Sequence, residues 1–212
     1  MKIDFVSDVT CPWCAIGLHA LERALDRLDW RAQVELRVQP FELNPDMPPE
    51  GEDIVHYVAR KYGSTAEEFA QRQDVIRRRG AEVGFEFGAR SRVWNTFDAH
   101  RLLHWAGLQG RQLELKRRLL AAYHTHGENP GARDVLLRLA GESGLDAERA
   151  RDVLASGEFG ADVRRNERHW QELGIHAVPA AIIDDRYLIE GGQPVEAFES
   201  ALRRIAAGTA DA

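Results

Sequence analysis

Apolar positions recur at two different periods along this chain, and their order predicts its architecture. A short run, Ile3-Asp4-Phe5-Val6, reads as a strand over residues 2–7. Ile16, Leu18, Leu21, Leu25 and Leu28 then follow a helical spacing over residues 12–28. From Gln33 to Phe41, Val34, Leu36 and Val38 alternate with Glu35, Arg37 and Gln39, the period of a half-buried strand. A strand, a helical crossover and a second strand predict parallel pairing. Pro40-Phe41-Glu42-Leu43-Asn44-Pro45-Asp46-Met47-Pro48-Pro49 holds four of the eight prolines and reads as a linker.

From about residue 50 to 174 nearly every pattern is helical. Ser64-x-x-Glu67 reads as a capping box opening a helix that runs through Val83. Asn95 is placed to cap a helix containing Phe97, Leu102, Leu103 and Trp105. Another helix spans about Gln112 to His126, and Asn129-Pro130 breaks the chain. Val135, Leu136, Leu139 and Ala140 mark the next, Leu145-Asp146 opens a short one, and Val163, Trp170 and Leu173 mark one ending at Gly174. Strand character returns at Pro179-Ala180-Ala181-Ile182-Ile183. Asp184-Asp185 turns the chain into Tyr187-Leu188-Ile189, which Gly191-Gly192 ends. Pro194 begins a terminal helix with Phe198, Leu202 and Ile205 inward. There is no internal repeat, and low complexity is confined to the tail Ala206–Ala212. The outline is βαβ, a helical insertion, then ββα. It predicts an α/β protein, a thioredoxin-like fold interrupted by an all-helical insertion domain. The expected boundaries are 1–48 with 175–212 for the thioredoxin-like part and 49–174 for the insertion.

Composition adds mostly exclusions. A chain of 212 residues, 44% hydrophobic and 29% charged, has length enough for a substantial core. A net charge of −6 argues against a nucleic-acid surface. No apolar stretch reaches the roughly 18 residues of a membrane span. Met1-Lys2-Ile3-Asp4-Phe5-Val6 enters the first strand without the apolar region of a secretory signal, so a cytoplasmic location is expected. In that compartment a lone cysteine pair points to catalysis rather than to a structural disulfide.

That pair is Cys11-Pro12-Trp13-Cys14, which holds the only two cysteines. It lies where the first strand meets the first helix, the setting of a redox Cys-x-x-Cys. Two intervening residues on a first helical turn bring the sulfurs within bonding reach. The helix start offers free N–H groups and about half a positive charge, which favours a thiolate at Cys11. Pro12 suits the first helical position because its missing N–H has no partner to lose there. Cys11 should be the more exposed sulfur and Cys14 the shielded one. A structural zinc site needs four ligands, and no second cysteine pair exists. His124-Thr125-His126 lacks the usual histidine spacing. Two buried, inert cysteines are the other alternative, against which the Pro-Trp insert and the strand-helix setting argue.

Stretches along the whole length give a more specific signal. They are Ser7-Asp8 before the cysteine motif, Ile16-Gly17 after it, and Pro40-Phe41-Glu42-Leu43-Asn44-Pro45. Asn95-Thr96-Phe97-Asp98-Ala99-His100-Arg101-Leu102, Gly144-Leu145-Asp146, Val178-Pro179 and Gly192-Gln193-Pro194 complete them. With these the chain resembles the FrnE-like branch of the DsbA family of thiol-disulfide oxidoreductases. The resemblance implies dithiol-disulfide exchange and a cis proline facing the cysteines, a role that falls on Pro179. Such a bend would expose the backbone of Val178 to a partner peptide. Some positions depart from the pattern. Ala15 stands where relatives often have an aromatic, and Ala177-Val178-Pro179-Ala180-Ala181 where they often read Gly-Val-Pro-x-Phe. Both changes remove bulk beside the thiols. Phe5 stands where thioredoxin and DsbA carry a buried acid, and the proton acceptor for Cys14 stays open. Asp8 reads as a turn or cap residue.

Further candidates are Trp13 as an exposed contact surface, and Trp94-Asn95 and Phe41 as lining of the cleft between domains. Capping for Asn95 and core packing for the aromatics are the alternatives. His100 and His104, four residues apart on one helix face, read as helix packing rather than half a metal site. Arg77-Arg78-Arg79 reads as a solvated helix face. The expected function is disulfide exchange with a protein or small-molecule thiol through Cys11 and Cys14. No bound cofactor or metal is required, and glutathione is a candidate co-substrate. The rival is a glutathione-dependent isomerase or transferase of the kappa-class and 2-hydroxychromene-2-carboxylate isomerase type, which usually carries serine at the reactive position. A non-enzymatic binding module or chaperone using the cleft is a third reading.

Overall fold

The first strand made is the central strand of the sheet. In the computed structural model, which describes residues 1–209, β1 (Lys2–Ser7) lies between β2 (Glu35–Pro40) and β5 (Ala180–Ile183). It pairs parallel with β2, Ile3 opposite Leu36, and antiparallel with β5, Ile3 opposite Ile183. β6 (Tyr187–Glu190) closes the order β2-β1-β5-β6. The last three residues of the Ala206–Ala212 tail lie outside the described residues. β1 is buried from Ile3 to Ser7, the polar Asp4 and Ser7 included, so neither of its faces is solvent-exposed.

Its two faces meet different partners. Ile3 and Phe5, with Ala181 and Ile183, pack against Ile16, Leu21 and Leu25 of α1 (Pro12–Arg27) and Phe198 and Leu202 of α9 (Val195–Ala206). Val6 and Ala180 face the other way, onto Phe41, Ile175 and Trp170 of α8 (Gly160–Glu172). Burying one such side chain stabilises the fold by about 1.5–3 kcal/mol.

Between the two halves of the sheet run α2 (Ile54–Tyr62), α3 (Ala66–Glu82), α4 (Phe97–Leu108), α5 (Gln112–His124), α6 (Arg133–Glu142), α7 (Ala147–Ala155) and α8. This is the expected helical insertion, with one addition. β3 (Glu52–Asp53) and β4 (Arg92–Val93) form a two-residue antiparallel ladder, too short to leave a periodic signal. The insertion does not stand apart: Phe85, Phe87 and Leu120 share a cluster with the α1 residues.

Local chemistry sets the element ends. The capping box of α3 is one residue later than expected: Glu68 N–H donates to Thr65 Oγ1 at 3.2 Å, and Thr65 N–H to Glu68 Oε2 at 2.9 Å. Ser64-Thr65 followed by Glu67-Glu68 fits both registers, and Ser64 is buried instead. Asp53 caps α2 and Asp146 caps α7. Gln33 closes a 3₁₀ turn rather than starting β2. Asp184 and Asp185 both adopt left-handed φ, 50° and 55°, as a tight hairpin turn requires. The proline-rich segment after β2 is not a free linker. Phe41 and Glu42 are buried, Glu42 pairs with Arg164 of α8, and Leu43 N–H donates to Asp8 Oδ2 at 2.8 Å.

Candidate active site

Cys11 is the N-cap of α1, with extended backbone (φ −82°, ψ 114°), and Pro12 follows inside the first turn. Cys14 N–H donates to the Cys11 carbonyl at 3.1 Å, so the second cysteine sits one turn into the helix. The two sulfurs are not joined in a disulfide. Across from them the Val178–Pro179 bond is cis, as the resemblance implies. Cys11 Sγ donates to the Val178 carbonyl at 3.6 Å. Two glycines let these segments close up. A Cβ at Gly17 would lie 3.0 Å from Pro179 Cγ, and one at Gly192 would lie 2.9 Å from the Trp13 carbonyl oxygen.

The sulfurs are ordered as expected, but Cys11 is less open than its cap position suggested. It is 4% exposed and Cys14 is fully buried. Cys11 reaches solvent through a recess of about 340 Å³. Thr10, Pro12, Trp13 and Val178 form one side of it. Ile54, Tyr57, Val58 and Tyr62 of α2 with Phe69 and Ile76 of α3 form the other. Arg72 and Arg90 are its charged lining residues, and none is acidic. Arg90 is engaged, donating to Gln73 Oε1 at 3.1 Å and lying over the Tyr123 ring. Arg72 is exposed. A larger recess, about 630 Å³ between β2, α4 and α5, carries neither thiol.

Behind Cys14 lies a polar group that sequence reasoning did not assemble. Asp8 is buried and more than a turn residue. Its carboxylate accepts from Thr10 N–H at 3.3 Å, Thr10 Oγ1 at 3.0 Å and Leu43 N–H, and meets His100 Nε2 at 3.4 Å. Burial alone would push the Asp8 carboxyl up. The hydrogen bond and charge of His100, the Leu43 N–H and the Lys116 charge outweigh it and bring it to about 2. The Cys14 thiol goes the other way. Burial first, then its hydrogen bond with Cys11 and the Cys11 charge, push it well above the ordinary value, while Lys116 and the Asp8 backbone N–H pull it down. Lys116 of α5 is fully buried, and its Nζ has no hydrogen-bond partner among the described residues. The signal for it was present: 116 shares a helix face with Leu119, Leu120 and Tyr123. A lysine on an apolar helix face is a buried lysine.

Of the expected site residues, Cys11, Trp13 and Val178 line one recess, with Cys14 and Pro179 buried behind it. Trp13 is 37% exposed. Phe41 and Asn95 do not belong there. Phe41 packs in the core against Val6 and Trp170, because β2 carries it to the α8 face of the sheet. Asn95 is held by its own hydrogen bonds, accepting from Phe97 N–H at 2.9 Å and donating to the Met47 carbonyl at 3.1 Å. Those bonds place it in a separate recess with Phe97 and Arg164. Trp94 stacks under Arg92. His100 meets Asp8, and His104 lies on the Phe159 ring. Among the described residues no three His, Cys, Asp or Glu side chains are grouped to hold a metal ion. None of the described helices is long and apolar enough to cross a membrane.

A cysteine pair at the start of α1, facing a cis proline at one end of a β2-β1-β5-β6 sheet, defines a protein of the thioredoxin fold. Residues 2–203 match the DSBA-like thioredoxin domain, and the chain belongs to that family of thiol-disulfide oxidoreductases. A crystal structure of a probable DsbA oxidoreductase from Streptomyces coelicolor superposes with a TM-score of 0.92, at 32% identity over all of this chain and 92% of that one. YwbO of Bacillus subtilis is 29% identical over 203 residues, 95% of this chain and 96% of YwbO. The structure of a 2-hydroxychromene-2-carboxylate isomerase covers all of both chains with a TM-score of 0.71 but 16% identity, which is a likeness of fold.

Proposed function

We propose that this protein exchanges disulfides through Cys11 and Cys14 in the cytoplasm. Cys11, as thiolate at the helix start, attacks a substrate disulfide, and Cys14 displaces the substrate thiol from the mixed disulfide. The reverse sequence passes a disulfide from the protein to a substrate thiol. The observation that carries this reading is the asymmetry of the pair: one sulfur opens onto a recess and the other lies sealed behind it. A one-thiol isomerase mechanism has no use for that second sulfur.

The recess also narrows the substrate. Its aromatic and aliphatic walls favour an apolar body, and its arginines without an acidic neighbour favour an anionic group. A low-mass disulfide bearing a carboxylate fits this description, and glutathione falls within the class. The reducing cytosolic thiol poise suits the reductase direction.

The test compares wild type with Cys14→Ser in the reduction of insulin and of glutathione disulfide, beside conjugation and isomerisation of small electrophiles. Wild type should reduce disulfides, and Cys14→Ser should stall as a mixed disulfide on Cys11. A wild type inert to disulfides but active on electrophiles, with Cys14→Ser unimpaired, would establish the isomerase reading instead. An intact pair with no exchange and no electrophile chemistry would point to a binding module.

A further inference from the structure

We infer that Lys116 is the proton-transfer partner of Cys14, taking its proton when Cys14 resolves a mixed disulfide and returning it when the Cys11–Cys14 disulfide opens. This rests on the disulfide-exchange reading and supplies the step that reading leaves without an agent.

A buried ammonium costs several kcal/mol of lost hydration unless it is paired, and a buried donor without an acceptor is rare in folded proteins. Lys116 meets both conditions, fully buried with Nζ unpartnered. α5 packs on the segment joining β1 to α1, with Val9 in one cluster with Leu115 and Leu119, and the groups whose charge acts on Lys116 are Cys14 of the first turn of α1 and Asp8 and Cys11 of that segment. Asp8 is the natural counter-ion, yet its oxygens are already engaged by Thr10, Leu43 and His100. That leaves the thiols as the groups whose ionisation changes during turnover.

The other titratable group nearby is His124, two turns further along α5. Its Nε2 meets the Val9 carbonyl at 2.9 Å and must carry the hydrogen, because a carbonyl only accepts. Its ring is surrounded by Tyr123, Phe85 and Phe87, with centroids 4.8 to 6.3 Å away, rather than by the thiols. His100 acts on Asp8, not on Cys14. Burial pushes Lys116 down from the usual lysine range, against the pull of Cys14, Asp8 and Cys11, which raises the share of neutral amine able to accept a proton.

The step balances. The proton of Cys14 Sγ passes to the neutral Nζ of Lys116. The Cys14 thiolate forms the bond to Cys11 Sγ. The bond from Cys11 to the substrate sulfur breaks, and its electron pair leaves with the substrate thiolate, which is protonated from solvent. No further oxidant or reductant enters.

An aryl disulfide reagent, dithiobis(nitrobenzoate), separates the two chemical events without the physiological substrate. Reduced protein should release thionitrobenzoate twice, first as Cys11 attacks the reagent and forms a mixed disulfide, and then as Cys14 attacks Cys11 and resolves it. In Lys116→Met the first release should be unchanged and the second slowed about a hundredfold at neutral pH. The remaining rate should rise with hydroxide. Lys116→Arg should be equally slow, because a guanidinium keeps its protons. An unchanged second phase and pH profile in Lys116→Met, or full rescue by Lys116→Arg, would overturn the inference, the latter showing that a fixed positive charge suffices. A wild type with no second release overturns the exchange reading along with it. Should neither variant fold, wild type labelled with ¹³C-lysine decides: Lys116 should titrate differently in the reduced and disulfide forms, and identical titration refutes the assignment.

Discussion

Gly17 faces Pro179 with no space for a side chain between them. A Cβ at position 17 would come within 3.0 Å of Pro179 Cγ and 3.5 Å of Phe5 Cζ. Helix α1 therefore rests directly on the turn that presents the Val178 carbonyl to Cys11, and the distance between the two halves of the site is set by a missing methyl group.

Gly17→Val should cost about 1–3 kcal/mol through overpacking and lower exchange activity by displacing Pro179. Gly141→Ala is the control. Nothing lies within 4 Å of a Cβ at Gly141 in α6, and alanine there should be neutral or stabilise by up to about 1 kcal/mol. Urea unfolding of the two variants checks both. Equal stabilities would mean that the Gly17 contact relaxes without cost.

Iodoacetamide at neutral pH should modify Cys11 and spare Cys14 in the reduced protein. Cys11 lines the recess, whereas Cys14 is fully buried and its thiol is held well above the ordinary value by burial and by Cys11. Peptide mapping after brief labelling reads the ratio, and equal labelling of the two sulfurs would contradict the sealed position of Cys14.

Arg72→Glu should raise KM about tenfold for a carboxylate-bearing disulfide and leave a neutral disulfide of similar size unaffected. The residue is an exposed cation in a recess without acids, so the effect should shrink as salt is added. A parallel loss on the neutral substrate would show that the change disturbs the recess rather than its charge.

Asp8 gives the fold an acid-sensitive contribution. Its native value of about 2 lies below the ordinary 3.8, so the carboxylate is stabilised by folding. That stabilisation, about 2 kcal/mol, is fully present above the ordinary value and is lost as pH falls from there through about 2. Asp8→Asn should therefore be less stable than wild type at pH 7 and lose less on acidification. Stability of both proteins from urea titrations across that pH range measures it, and parallel curves would remove Asp8 as the source.

Much of the fold was legible in the chain because its segments are strongly periodic. The strand, crossover and strand at the start, the hairpin after Pro179 and the terminal helix all carry patterns that one face of burial explains. The cysteine pair was legible because its chemistry depends on spacing within one helical turn. What was not legible depends on segments far apart in sequence. Asp8, His100 and Lys116 come from three segments, and a single lysine in α5 carries no mark of the Cys14 and Asp8 charges that act on it. Phe41 and Asn95 were associated with the cleft through motifs that the fold uses for core packing and for a turn just before α4, whose N-cap is Thr96. The capping box slipped by one residue because two registers satisfy the same rule.

The place of β1 in the sheet has a consequence for the protein during its synthesis. Its second neighbour, β5, ends at Ile183, so the ribosome must pass through the whole insertion before the central strand is paired on both edges. At about 5–20 residues per second, the time between making Cys11 and making Ile183 is on the order of ten seconds. Throughout that interval both sulfurs are on a nascent chain without the Val178 carbonyl or the walls of the recess around them. They meet the thiols of the surrounding fluid as ordinary cysteines first, so the oxidation state in which the chain folds is inherited from its compartment rather than chosen by its own site.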